Sequence, residues 1–145
     1  MEKDNTDMEN QDKEMMEAIF AAEEALVHLR KAKKYLDKAK NWGIFDILGG
    51  GLFVSLIKHS RMDDANEEIQ QAKLAIENLH RELQDVQDYI NVDLNLEPFL
   101  AVTDYLFDNM FSDLLVQSKI NEQRQQVNQT IFETEKILQT LRSAV

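Results

Sequence analysis

Ala65, Ile69, Ala72, Ile76, Leu79, Leu83, Val86 and Ile90 recur at intervals of 4, 3, 4, 3, 4, 3 and 4, with mainly Glu, Gln, Lys, Asn and Asp between them. Such spacing is an unbroken heptad seam, a narrow apolar stripe that meets a neighbouring helix while the other faces meet water. It predicts a helix from about Leu52 to Asn91, roughly 60 Å long at 1.5 Å per residue. A helix of that length needs a companion along its whole course. Upstream, Met15, Ile19, Ala22, Leu26, Leu29, Ala32, Leu36 and Ala39 repeat the 4 and 3 spacings. They predict a first helix from about residue 11 to Asn41, lying antiparallel on the second. Alanines at several seam positions of both permit close approach of the two backbones.

The punctuation agrees with this reading. Pro98 is the single proline, and the four glycines, Gly43, Gly49, Gly50 and Gly51, fall within nine residues. Globular β and α/β folds need turn residues far more often. After Ile90 the pattern breaks, and Asn95 or Asp93 is expected to cap a third helix starting near Leu96, with Pro98 in its first turn, where a missing N–H costs little. This helix is the most apolar, with Phe99, Leu100, Val102, Tyr105, Leu106, Phe107, Met110 and Phe111 around more than one face. Ser112 or Asp113 marks a kink or a new N-cap. Val116, Ile120, Gln123, Val127, Thr130, Thr134, Ile137 and Leu141 then carry a fourth helix, three of whose seam positions are polar. Polar seam residues often fix register at some cost in stability. The expected fold is all-α, an antiparallel bundle or coiled coil of about four helices with two long hairpin helices.

At 145 residues the chain has room for one core and not two, so residues 11–145 read as a single domain. Residues 1–10 carry no seam and many acids and read as a disordered tail. No secretory h-region precedes the first helix. The absence of cysteine removes disulfides, thiolate metal sites and thiol nucleophiles, which suits a reducing cytoplasm. Against 16 basic residues stand 27 acidic ones, for a formal charge of -11, which opposes general nucleic-acid binding. The charge is also uneven. Arg30, Lys31, Lys33, Lys34, Lys38 and Lys40 cluster, whereas Glu82 to Ser118 holds eight acids and no Lys or Arg.

Residues 42–57, WGIFDILGGGLFVSLI, form a strongly apolar stretch beside that basic cluster. This is the composition of a membrane-surface or partner-docking element, although it falls short of the roughly 20 residues a spanning helix needs. The expected reading makes it instead the end of the bundle: Gly43 terminates the first helix, a mostly buried Trp42 folds down over the core, and Gly49 to Gly51 form the reversal. On that reading the basic cluster is a solvated helix C-terminus set against the macrodipole. A phosphate cradle at the triple glycine lacks the lysine and the preceding strand of a P-loop. His28, His59 and His80 do not converge on a metal, and Glu77 with His80 is one Glu-x-x-His pair where a diiron bundle needs two. Solvent-flanking histidines are expected. Asp85, Asp88, Asp104, Asp108 and Asp113 lack EF-hand grammar and read as wet helix faces. No cofactor, metal or catalytic constellation is expected.

The run from Asn41 to Ala65, with Trp42, Gly43, Asp46, Gly49, Gly50, Gly51, Lys58, His59, Asp63 and Ala65, resembles a pattern in uncharacterised bacterial helical proteins. The resemblance covers under a fifth of the chain and implies a bacterial origin but no activity. Within it, His59 and Asp63 stand at i, i+4 beside Lys58, placed to hydrogen-bond back to the glycine turn. The expected function is that of a non-enzymatic cytoplasmic interaction or scaffold protein, acting through homodimerisation or a protein partner. The alternative is peripheral membrane binding through residues 42–57 and the basic cluster at 30–40.

Overall fold

In the computed structural model the backbone is described for residues 2–49, 52–90, 94–109 and 120–144, with side chains at 9–38, 67–88, 94–106, 108 and 121–144. Among these residues every regular element is a helix: α1 (Glu2–Gly49), α2 (Leu52–Ile90), α3 (Glu97–Asn109) and α4 (Ile120–Ala144). The four pack as an all-α bundle. The heptad reading of α2 holds at every described position, since Ile69, Ala72, Ile76, Leu79, Leu83 and Val86 are all buried. On α1, Met15, Ile19, Ala22, Leu26, Leu29, Ala32 and Leu36 are buried as expected.

Two sets of pairings give the helix directions. His28 lies against Glu68, and Glu14 and Glu17 face Glu82, pairs that fall nearly symmetrically about Gly49. The α1–α2 unit is therefore an antiparallel hairpin, with α1 ending at Gly49 and α2 beginning at Leu52. Between α1 and α4, Glu23 meets Arg142, Arg30 meets Glu135, and Asp37 meets Arg124. As the α1 number rises the α4 number falls, so these helices are antiparallel too. α1 is consequently central, packed on α2 along one flank and α4 along the other.

This position explains a feature the heptad seam leaves out. Ala18, Ala21 and Ala25 are buried along with Ala22, because a helix with two neighbours needs a wider apolar face than a two-helix seam. On α4 the polar seam residues Gln123, Thr130 and Thr134 are buried as well. The threonines satisfy themselves locally: Thr130 Oγ1 donates to Gln126 O at 2.7 Å and Thr134 Oγ1 to Thr130 O at 2.7 Å. Back-bonding of this kind lets a hydroxyl enter an apolar seam without an orphaned donor.

Three expectations change. α1 does not stop at Gly43 but stays helical through Gly49; the backbone hydrogen bonds continue because one glycine in a helix costs only about 1 kcal/mol relative to alanine. The basic residues 30–40 therefore sit mid-helix, away from the terminal peptide dipoles that were expected to stabilise them. At α3, the first helical bond runs from Leu100 N–H to Leu96 O at 2.8 Å, which makes Leu96 the N-cap residue in place of Asn95 or Asp93. Leu94 is buried and accepts from Leu96 N–H at 2.9 Å, so the entry to α3 is anchored by an apolar side chain rather than a polar cap. Pro98 does fall in the first turn.

The helical backbone of α1 reaches back to Glu2, and its first described side chains, Glu9 and Asn10, are exposed. Residues 2–10 carry no seam to hold that helix against a neighbour, and an isolated turn frays. Amide exchange in residues 2–10 is expected to be much faster than in 18–36. Protection of Asp4 to Glu9 equal to that of the core would mean that the segment has a packing partner.

Candidate functional site

The most chemically distinct surface is an open groove of about 570 Å³ between α1 and α4. Arg30, Lys33, Lys34, Asp37 and Lys38 line it from α1, and Ile131 and Glu135 from α4. Helical spacing assembles it: residues 30, 34 and 37 and their neighbours fall on successive turns of one α1 flank. Two ion pairs close its walls, Arg30 Nη2 to Glu135 Oε1 at 2.8 Å and Arg124 Nε to Asp37 Oδ1 at 2.7 Å. These neutralise Arg30 and Asp37 internally and leave Lys33, Lys34 and Lys38 as the groove's surplus positive charge. Lys38 Nζ lies 6.0 Å from the centroid of the Tyr35 ring. The arrangement attracts anions without enclosing one.

A second cluster lies between α1 and α2, where carboxylate oxygens of Glu14, Glu17 and Glu82 come within 4.8 Å of one another. Glu14 Oε2 and Glu82 Oε2 are buried without a hydrogen-bond partner. Burial, followed by repulsion from Glu17, Asp85 and Glu14 and partly offset by Arg81, raises the Glu82 carboxyl above its usual range. Acidic groups at this density do not by themselves define a cation site. They do define a stability effect with a known sign. A carboxyl whose folded pKa is raised contributes stability at low pH that is lost as pH rises through that folded pKa, so at neutral pH the cluster works against the hairpin. Glu82→Gln is expected to stabilise the chain at pH 7 by a few tenths to about 1 kcal/mol, the scale of partly exposed charge interactions, with the gain shrinking toward pH 4. A destabilised Glu82→Gln would show instead that the carboxylate has a favourable partner.

The aspartates weighed as metal ligands do not converge: among the described residues the Glu14, Glu17 and Glu82 group is the one set of three or more close carboxylates or imidazoles. Asp113 lies outside the described residues. Of the histidines, His59 lies outside the described side chains, and the other two correct the expectation of solvent-flanking rings. His28 Nδ1 is 3.3 Å from Glu68 Oε2, bridging α1 and α2. His80 is half-buried and joins α2 to α3. Its Nε2 is 3.1 Å from Thr103 Oγ1, and its ring meets Phe99 edge-on, with centroids 5.2 Å apart at 73°. Thr103 spends its single proton on the carbonyls of Phe99 and Leu100, at 2.9 and 3.1 Å. With that proton on a carbonyl the hydroxyl can accept from His80 Nε2–H, the donor and acceptor roles following the imidazole tautomer. Burial pushes the His80 pKa down, against smaller upward pulls from Asp104 and Glu77, so this ring is a structural strut held neutral. Sequence spacing missed it because Thr103 lies on another helix.

The hairpin residues singled out by sequence fall only partly within the described residues. Trp42, Gly43, Asp46 and Gly49 lie on the last turns of α1, and Lys58, His59 and Asp63 on the first turns of α2. Their side chains lie outside the described residues, as do Gly50 and Gly51 altogether, so the packing of Trp42 and the proposed lock on the glycine turn belong to that part of the chain. Among the described residues no helix is long and apolar enough to cross a membrane. No family model, curated protein or solved structure matches this chain.

Proposed function

We propose that this chain is a non-enzymatic helical interaction protein that acts through self-association or a protein partner, in keeping with a cysteine-free chain of the cytoplasm. One observation carries the reading. On α1, the helix already packed on both flanks, Met16, Phe20 and Val27 remain 57%, 65% and 47% exposed. Single exposed apolar residues are ordinary, but several large ones along the outer face of one helix are what a helix-docking surface needs. Sedimentation equilibrium of the purified chain is expected to show reversible dimerisation. A strictly monomeric chain that also retains no helical partner from its own source would remove the reading.

The groove of Arg30, Lys33, Lys34 and Lys38 supports a second reading, peripheral binding to an anionic membrane surface, since each Lys or Arg near such a surface contributes about 1 kcal/mol. Co-sedimentation with phosphatidylserine vesicles at low salt, lost at high salt and in Lys34→Glu with Lys38→Glu, is its expected signature. No sedimentation with anionic vesicles would discard it.

A further inference from the structure

We infer that two copies of this chain associate antiparallel through the outer face of α1, pairing the acidic end of one helix with the basic end of the other. The inference rests on the self-association reading and adds the face, the direction and the register. Met16, Phe20, Glu24 and Val27 are exposed residues at intervals of 4, 4 and 3. The stripe continues with Lys13 and Glu9 toward the N-terminus and Lys31, Lys34 and Lys38 toward the C-terminus, all exposed and all at intervals of 3 or 4. At about 100° per residue this row is centred opposite the buried Ala18, Ala25, Leu29 and Leu36. α1 thus carries a second, exposed row running from Glu9 to Lys38, whose Lys34 and Lys38 also edge the groove beside α4.

The order of residue types along this row determines the occupant. It begins with Glu9 and Lys13, carries Met16, Phe20 and Val27 around Glu24 in the middle and ends with Lys31, Lys34 and Lys38, so a parallel copy would set four lysines against themselves. An antiparallel copy with its twofold axis between Glu23 and Glu24 matches the row to itself. Phe20 then faces Val27 of the second copy, Met16 lies along the aliphatic stem of Lys31, and Glu9 meets Lys38. Burying Phe20 and Val27 supplies the apolar term, and the charged ends set direction and register, as flanking charges do in coiled coils. Two positions oppose it. Lys13 meets Lys34, although Lys13 Nζ lies 3.9 Å from Glu17, which offsets that repulsion. Glu24 faces its own copy across the axis.

The test uses the full chain. Phe20→Glu is expected to give a monomer with unchanged helical circular dichroism, because the ring is exposed and outside the core. Lys38→Glu and Glu9→Lys should each raise the dimer dissociation constant about tenfold, since each places like charges together twice per dimer, and the double variant should recover native affinity. Glu24→Gln should tighten the dimer. The native chain has no cysteine, so mixed Phe20→Cys and Val27→Cys chains should form a disulfide-linked heterodimer on mild oxidation. A native chain that never dimerises removes the underlying reading itself. A dimer that survives Phe20→Glu keeps that reading and overturns the face, and Phe20→Cys homodimers without mixed product, or a double charge swap that fails to restore affinity, overturn the antiparallel register.

Discussion

Phe99→Ala should cost about 3–5 kcal/mol, the range for truncating a fully buried aromatic side chain. Phe99 has no exposed surface, and it stands on the first turn of α3, the shortest described helix, at 13 residues. A helix of that length is marginal on its own and depends on the face it buries. Phe99 also walls the His80 ring, whose Nε2 reaches Thr103 one turn further along α3. Truncation therefore opens a cavity and loosens the strut that ties α3 to α2. Denaturant unfolding should show a lower midpoint, and the slope should stay unchanged if α3 remains docked. Leu74→Ala is the matched control, removing an apolar side chain that is 58% exposed, and its effect should fall within about 0.5 kcal/mol. Equal losses at the two positions would mean that α3 does not pack through Phe99.

What could be read in advance, and what could not, follows from the range over which each signal acts. The α2 seam was visible because an unbroken 4 and 3 alternation reports burial locally, residue by residue, and each described seam position is buried. The central position of α1 was not. Its second interface is written partly in charges, with Glu23, Arg30 and Asp37 seven apart on α1 and their partners 119, 105 and 87 residues away on α4. A periodicity of acids and bases looks like a wet face until the partner helix is in place. Periodicity alone also does not show how the polar seam of α4 is satisfied, with Thr130 and Thr134 bonding back to their own helix. Gly43 misled for a different reason: glycine permits a helix to end but does not oblige it to, and nothing else at that position stops the ladder. The Glu14, Glu17 and Glu82 cluster went unseen because Glu82 joins it only through the hairpin register.

Ala22→Leu provides the sharpest check on the central place of α1. Leucine and alanine differ little in helix propensity, so the replacement leaves the helix itself nearly as stable as before. Any large effect must come from packing. Ala22 has no exposed surface, and neither do Ala18 and Ala25 on the same apolar face, so the space a leucine needs is already occupied by α2 and α4. Helix axes lie about 8–10 Å apart when small residues stand between them, and three extra carbons must displace one neighbour or force strained rotamers. Overpacking of this kind costs about 1–3 kcal/mol. It should appear in urea unfolding as a lower midpoint, accompanied by faster amide exchange on whichever of α2 and α4 gives way. An Ala22→Leu chain as stable as the native one would mean that α1 leaves a void beside Ala22, and that the alanine row does not set the spacing of the bundle.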